Sequence, residues 1–427
     1  MQGRQGRGAY LEPRSLQVSF GEALRVWLKI GCLGFGGPAG QIALMHRILV
    51  DEKKWVEEQR YLHALNFCML LPGPEAQKLA TYVGWLLHGT RGGLAAGILF
   101  VLPGALVMLA VSLLYVLGRG IPVVEGALFG VKAAVLVIVV EALIRIGRRG
   151  LKTRLLLGVA ALAFIGIYFF DLPFPLIVAA AAAIGYATTR PSAPSPAVDN
   201  SGSWRGFIRA LSVGIVLWLA PIALVVVALG GSHVLFDIAV FFSKLALVSF
   251  GGAYALLAYM AQQAVENHAW MTAPEMVDGL GLAETLPGPL IKVTQFVGFL
   301  AAYRDAAPFS PVTAAILGSA LTTWVTFLLP MMLIFALAPF VEQLRSNTRL
   351  SGALAAITAA VVGVILNLTL WFSLAVLFAR PGELASFDWK AGALALLAAL
   401  LMLRLHRGLI ETVAVMAVLG ILLQFLL

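Results

Sequence analysis

The chain has 427 residues, of which 60% are hydrophobic and only 12% charged, and its mean hydropathy is +0.93. This composition excludes an ordinary soluble domain, which contains about half apolar and about a quarter charged residues, and it indicates an integral membrane protein. The net charge of +9 is spread over short runs between apolar segments, without a basic stripe interleaved with aromatic residues, so no nucleic-acid partner is expected.

Thirteen apolar stretches come close to the roughly 20 residues that a membrane-spanning helix needs. A Pro/Ser-rich linker from Arg190 to about Trp204 follows the sixth, and its composition cannot build a packed core. We therefore predict an all-α polytopic membrane protein with an N-terminal half (1–190), a linker and connector span (191–230) and a C-terminal half (231–427). The candidate spans are 16–34, 62–88, 94–117, 124–146, 154–170, 174–189, 207–229, 235–250, 276–302, 312–338, 352–378, 389–404 and 408–427.

Several segments of the first half recur in the second half at an offset of 215 residues. They share one ungapped register over about 45 residues, which indicates an internal repeat. The matched pairs are Lys29 with Lys244, Phe35-Gly36-Gly37 with Phe250-Gly251-Gly252, Met45 with Met260, Trp55 with Trp270, and Pro72-Gly73-Pro74 with Pro287-Gly288-Pro289.

The number of spans sets the relative orientation of the halves. Six spans and a connector mean that the second half enters from the other side, so we predict two inverted-topology repeats of about six spans each. With a cytoplasmic N terminus and an external C terminus, 16 Lys and Arg residues fall in cytoplasmic segments and 8 in outer loops, as the positive-inside rule requires. The eight outer cations are Arg47, Lys53, Lys54, Arg60, Arg119, Arg304, Arg380 and Lys390.

Each Pro-Gly-Pro sequence interrupts a long apolar stretch, because proline lacks a backbone donor and clashes with the preceding helical turn. Backbone groups freed at membrane depth must be buried in protein or line a watery cavity. The half-helix after each break has a positive dipole end that favours an anion. Matched breaks in two halves are typical of a transporter's central site, so we predict that Pro72-Gly73-Pro74 and Pro287-Gly288-Pro289 contact the substrate.

Two lysines and two glycine turns complete the predicted substrate site. Lys78 and Lys292 follow the breaks within four residues, where a helix N terminus disfavours a cation unless an anion or a carboxylate offsets it. Anion contact and an internal ion pair are both open interpretations. The pairs Gly36-Gly37 and Gly251-Gly252 can expose N–H groups as an anion-binding nest, although small residues also mark close helix packing.

Two acids beside the breaks are candidate proton-coupling groups. Glu75 directly follows Pro74, and Glu284 lies three residues before Pro287. An acid in a first helical turn is also a common structural choice because it complements the helix dipole. The functional hypothesis is a carboxylate that binds and releases a proton during transport.

Several other functions receive no support from motifs. The sequence contains no P-loop, G-x-S-x-G or dinucleotide fingerprint, and its six histidines show no metal-binding spacing, so we expect neither an enzyme nor a metal or cofactor. A passive anion channel built from the same breaks is an alternative. A membrane enzyme that uses Glu75, Glu284 and a histidine is a further alternative, but the histidines are scattered.

The first half resembles the signature of the chromate ion transporter family, and the stretch from Phe250 to Pro289 resembles that family's diverged second copy. The resemblance implies a bacterial inner-membrane protein that exports chromate, confers chromate resistance and is driven by the proton motive force. It also implies chromate, protons and the lipid bilayer as partners, with sulfate as an analogue; a homo-oligomer is left open. The motifs that carry it are Gly34-Phe-Gly-Gly-Pro-x2-Gln41, Val50-Asp-Glu-Lys-Lys-Trp55 and Leu65-Asn-Phe-Cys-x-Leu-Leu-Pro-Gly-Pro-Glu-Ala-Gln77.

Overall fold

The computed structural model describes residues 18–190, 204–250, 253–340, 348–378, 380 and 383–426, and within these ranges it holds helices and no strand beyond one isolated bridge. The all-α prediction is confirmed. The helices are α1 (Phe20–Leu33), α2 (Gly37–His46), α3 (Glu58–Met69), α4 (Glu75–Leu117), α5 (Pro122–Gly150), α6 (Arg154–Phe170), α7 (Phe174–Thr188), α8 (Trp204–Leu229), α9 (Val234–Leu247), α10 (Ala253–Gln262), α11 (Ala273–Thr285), α12 (Val293–Arg304), α13 (Pro311–Leu337), α14 (Thr348–Leu377), α15 (Trp389–Ala399) and α16 (Leu409–Leu426).

Six of the described helices are long and apolar enough to cross a membrane, namely α4, α5, α8, α13, α14 and α16. The apolar helices α6 and α7 are shorter, with 17 and 15 residues. The chain is therefore a multi-pass membrane protein. The boundaries proposed for its halves and linker stay a prediction.

Two predicted spans of the first half are re-entrant hairpins. The 14 residues of α1 extend for about 21 Å, too short for a bilayer, and the chain then returns through α2. Lys53, beyond α2, places its Nζ 2.7 Å from Glu22 Oε1 at the start of α1. The hairpin of α3 and the first part of α4 ends at His88, whose ring nitrogen lies 2.7 Å from the Val18 carbonyl oxygen. Both hairpins thus begin and end at one face, defined by Val18, Glu22, Lys53 and His88 and here called the N-terminal face.

The second half forms its hairpins from the other side. The ring of His233, before α9, lies 2.8 Å from the Ala307 carbonyl oxygen, and Arg304 at the end of α12 donates to the Trp270 carbonyl oxygen at 2.6 Å. Arg304 and Arg119 both pair with Glu275 at the start of α11. These six residues define the opposite face. Hairpins that begin at opposite faces are consistent with inverted repeats.

The prediction of thirteen spans is therefore wrong for four of them, 16–34, 62–88, 235–250 and 276–302. Apolar length cannot distinguish one crossing helix from two half-helices that meet near mid-depth. For 62–88 and 276–302, a window of about 20 residues joins the two arms of a hairpin through the Pro-Gly-Pro break and scores them as one span. The stretches 16–34 and 235–250 each cover one short arm, α1 or α9, which ends at a glycine turn or just before it.

Helix α4 crosses the molecule only after a sharp kink. His88 and Gly89 leave helical geometry, with φ −138° and φ +60°, and they separate the hairpin arm from a long straight segment, 90–117. The arm and the segment pack closely, since a Cβ on Gly84 would lie 2.5 Å from the Gly92 carbonyl oxygen. From the turn after α4, helix α5 runs back to the N-terminal face and brings its last turns beside the breaks.

Candidate functional site

Each Pro-Gly-Pro break bonds through its backbone to the other half. The Gly73 N–H donates to the Ser249 carbonyl oxygen at 2.8 Å, and the Gly288 N–H donates to the Gly34 carbonyl oxygen at 2.9 Å. Residues 34 and 249, and likewise 73 and 288, are related by the 215-residue offset of the repeat. The glycine N–H of each Pro-Gly-Pro break therefore donates to a carbonyl oxygen beside the glycine turn of the other half.

Glycine is required at the centre of both Pro-Gly-Pro breaks. Gly73 and Gly288 have φ values of +102° and +91°, a region that residues with a side chain rarely adopt. A Cβ on Gly73 would lie 2.6 Å from the Pro330 side chain, and one on Gly288 would lie 3.3 Å from Gly104 Cα. Gly104 is halfway along the straight segment of α4, so the breaks lie near mid-depth in the molecule.

The structure describes the glycine turn of the first half only. Gly36 and Gly37 have φ values of +82° and +67°, and α2 begins at Gly37. The predicted Gly251 and Gly252 lie outside the described residues. Nearby, the buried Gln41 amide donates to the carbonyl oxygens of Gly34 at 3.1 Å and Gly288 at 2.7 Å, which adds a side-chain link between the two halves.

A cavity of about 630 Å³, here called the central cavity, lies where the breaks cross. The first turns of four helical segments line it, and those beginning after Gly36, Pro74 and Pro289 have no side-chain cap. Uncapped helix N termini carry free N–H groups and a positive dipole end, so this cavity favours an anion. The first-turn residues are Pro38 and Ala39 of α2, Glu75 and Ala76 of α4, Ala253 and Tyr254 of α10, and Leu290 and Ile291 before α12.

Two arginines from the end of α5 also line the central cavity. Arg145 Nη1 lies 3.6 Å from Glu141 Oε1, in an i,i+4 ion pair. Arg149 is exposed and has no salt bridge within the described part of the chain. Among the described residues, the cavity therefore contains one arginine, Arg149, that forms no salt bridge.

The lysines beside the breaks are almost completely buried, each with 1% of its surface exposed, and neither lines the central cavity. Lys78 donates through Nζ to the Leu71 carbonyl oxygen. Lys292 Nζ donates to the carbonyl oxygens of Ala283 at 2.7 Å, Leu286 at 3.1 Å and Gly288 at 3.2 Å. Both lysines thus reach back across their break and cap carbonyl groups left free at the end of the preceding half-helix. Direct contact with substrate stays a prediction.

The two candidate acids occupy different positions. Glu75 is half-buried at the N terminus of α4 and lines the central cavity, with no salt bridge to any residue that the structure describes. Glu284 is 4% exposed, and its Oε1 accepts a hydrogen bond of 2.6 Å from the Tyr254 hydroxyl. Since Tyr254 lines the cavity, it connects the buried Glu284 with that space.

Comparison with known proteins identifies the family. The sequence model of a family described as "Chromate transporter" matches residues 21–186 and 236–423. The chain belongs to the chromate transporter family. Two matched regions are consistent with a two-domain repeat.

Several relatives of this chromate transporter family member match over most of its length. A chromate transport protein of Pseudomonas aeruginosa is 35% identical over 358 residues, covering 82% of this chain and 80% of that protein. A probable chromate transport protein of Synechococcus elongatus is 27% identical over 357 residues, covering 81% and 83%. An uncharacterized transporter of Methanocaldococcus jannaschii is 24% identical over 375 residues, covering 86% and 85%. No solved structure matches.

The sequence-based site in this family member omitted part of the cavity wall. The sequence places Arg145 and Arg149 in a basic run that sets membrane orientation and pairs Arg145 with Glu141 at i,i+4 spacing, while Gln41 and Tyr254 appear only within family motifs. A signal for the arginines was present, because an i,i+4 spacing places both on one helix face. The central cavity brings this face together with both Pro-Gly-Pro breaks.

Lys292→Ala is expected to lower the stability of the folded protein, because it leaves three buried carbonyl groups without this donor. An unsatisfied buried polar group costs about 1–3 kcal/mol. Lys78→Ala removes one such bond and is expected to cost less. Thermal unfolding in detergent, monitored by size-exclusion chromatography, measures the stability of both variants. Unchanged stability combined with lost transport would contradict the capping role and favour direct substrate contact.

Proposed function

We propose that this protein exports chromate from the cytoplasm as a secondary active transporter, is driven by the proton motive force and thereby confers chromate resistance. Membership of the chromate transporter family supports chromate transport as such. The observation that carries the proposal is the convergence of four half-helix N termini and two arginines on the central cavity.

The charges around the central cavity match a tetrahedral dianion. Each helix N terminus acts as roughly half a positive charge, and Arg149 adds a full charge. Glu141 pairs with Arg145, and Glu75 contributes a negative charge to the same cavity when it is ionised. A cavity of about 630 Å³ also accommodates water around the ion, so recognition rests on charge and on backbone donors more than on shape. Sulfate has the charge and geometry of chromate, and we therefore expect it to compete.

The basic residues support an N-terminal face in the cytoplasm. Four of the eight cations predicted in outer loops, Arg47, Lys53, Lys54 and Arg60, belong to the two hairpins that begin and end at the N-terminal face. Placing this face inside leaves only Arg119, Arg304, Arg380 and Lys390 of the eight outside, which increases the positive-inside bias. Arg145 and Arg149 then lie at the cytoplasmic end of the central cavity, in position to attract an anion.

The driving force has an electrical and a chemical part. Moving two negative charges out of an inside-negative cell is favoured by about 4.6 kcal/mol per 100 mV. Glu75 and Glu284 are the groups that we propose to add proton coupling, Glu75 directly at the central cavity and Glu284 through Tyr254. During alternating access, the hydrogen bonds that the Gly73 and Gly288 N–H groups donate to the other half would break and be replaced by others.

Everted membrane vesicles provide the test. Chromate uptake is expected only in vesicles energised by respiration, to be inhibited by excess sulfate and to collapse with a protonophore. Glu75→Gln is expected to keep uptake driven by a potassium-diffusion potential but to lose stimulation by an imposed pH gradient. Glu57→Gln is the matched control, since Glu57 is exposed and lies outside the central cavity. A passive oxyanion channel also conducts a dianion along the membrane potential. Wild-type uptake that follows an imposed potential but shows no stimulation by an imposed pH gradient would therefore indicate such a channel.

A further inference from the structure

A second cluster of charged groups surrounds a cavity of about 420 Å³ at the opposite face, here called the peripheral cavity. It lies between the end of α4, the first turns of α5 and the start of α11, and the Gln424 side chain of α16 borders it. None of its residues belongs to the central cavity. Its titratable and charged residues are Tyr115, Arg119, Glu125, Lys132, Glu275 and Asp278.

Asp278 is a buried carboxylate with one oxygen left unsatisfied. Only 3% of the residue is exposed. The Tyr115 hydroxyl donates to its Oδ2 at 3.0 Å. Lys132 Nζ lies 3.4 Å from Oδ1 as an ion-pair partner, yet Oδ1 receives no hydrogen bond from any described group. A buried acceptor of this kind is costly unless a donor or a proton reaches it.

Glu275, one helical turn earlier, shows what a purely structural acid looks like here. Its carboxylate accepts two hydrogen bonds from Arg304, at 2.7 and 2.8 Å, and one from Arg119. The Thr272 N–H donates to it as well, at 2.8 Å. Both oxygens of Glu275 are thus saturated and hold α11 to its neighbours, whereas Oδ1 of Asp278 has an ion-pair partner but accepts no hydrogen bond from a described group.

The same half-helix leads from Asp278 to the central cavity. Glu284 follows six residues later, about 9 Å along the axis of α11, and connects through Tyr254 with the central cavity. Besides Glu275, helix α11 therefore carries two buried carboxylates, Asp278 at the peripheral cavity and Glu284, which Tyr254 connects with the central cavity. Helix α11 ends just before the Pro-Gly-Pro break at Gly288, whose backbone hydrogen bond we propose to exchange during transport. A change of charge on this helix therefore acts beside that break.

We propose that Asp278 is the outer proton-binding site of the transport cycle. A proton from the external side adds to Oδ1, converts the carboxylate to the neutral acid and removes the ion pair with Lys132. Tyr115 and Arg119 face this group from α4 and its following turn, Glu125 and Lys132 face it from α5, and Glu275, held by Arg304 of α12, lies beside it on α11. The proposal rests on the proton-driven export proposed above.

Reconstituted proteoliposomes test it with two assays. One assay measures chromate flux driven by an imposed pH gradient, and the other measures counterflow of labelled chromate at equal pH on both sides, which needs no net proton movement. Asp278→Asn is expected to lose at least tenfold of the gradient-driven flux and to keep counterflow within twofold of wild type. Glu57→Gln is the control, because Glu57 is an exposed acid that lines neither the peripheral nor the central cavity.

Each outcome has a distinct meaning. Retained gradient-driven flux in Asp278→Asn would overturn the outer site, and so would parallel loss of counterflow in a monodisperse protein. Wild-type protein without any gradient-driven flux would overturn the proposed function together with this inference. If Asp278→Asn does not fold, Tyr115→Phe replaces it: loss of the hydroxyl should move the midpoint of the flux–pH curve to higher pH, and an unmoved midpoint would contradict the proposal.

Discussion

Replacing Arg149 by alanine is expected to raise the KM for chromate at least tenfold, because the substitution removes an unpaired cation from the central cavity. A tenfold change corresponds to about 1.4 kcal/mol of binding free energy, a modest share of the attraction between a guanidinium and a dianion in a partly dehydrated space. The amount of folded protein should stay constant, since Arg149 is exposed. Initial rates of chromate uptake into energised everted vesicles measure the effect.

Arg148 supplies the control for this experiment. It is the preceding residue on α5, is also exposed and does not line the central cavity. Arg148→Ala should therefore leave the KM within twofold of wild type. Equal effects of the two substitutions would mean that the basic run acts through general surface charge, and the cavity would lose its role in binding.

Gly73→Ala is expected to abolish transport and to destabilise the folded protein by about 2 kcal/mol or more, because alanine is strained at this backbone conformation and its Cβ would collide with Pro330. The same change would disturb the hydrogen bond from the Gly73 N–H to Ser249. Vesicle uptake and thermal unfolding in detergent measure the two consequences.

Gly120→Ala separates backbone strain from steric collision. Gly120 has a φ of +82°, and a Cβ there would have no atom within 4 Å. This variant should show a smaller loss of stability and near-normal transport. Normal transport in Gly73→Ala would contradict the view that the two breaks must pack closely at the centre of the molecule.

The Pro-Gly-Pro breaks and the glycine turn at Gly36-Gly37 were predictable because their chemistry is local. Proline cannot continue a helix, and glycine tolerates the positive φ values that such a turn requires. Their pairing across the molecule was not predicted. The offset of 215 residues relates Gly34 to Ser249 and Gly73 to Gly288. It does not show that Gly73 bonds to Ser249 and that Gly288 bonds to Gly34.

The lysines show the same division. Their positions after the breaks indicated that each needs an offsetting partner, and the sequence suggested an anion or a carboxylate. In the structure, the Nζ atoms of Lys78 and Lys292 donate to backbone carbonyl groups. Which partner a buried ammonium finds depends on the angle between two half-helices, and spacing along the chain does not contain this angle.

By itself, the sequence determined the membrane class, the internal repeat, the two breaks and the likeness to the chromate ion transporter family, because each depends on composition or on residues close together in the chain. Only the tertiary structure decided that the broken segments are re-entrant hairpins, that Arg145 and Arg149 of α5 share the central cavity with the breaks, and that Asp278 meets Lys132 and Tyr115 at the opposite face. These contacts join residues up to hundreds of positions apart, and helix packing, which no local pattern records, brings them together.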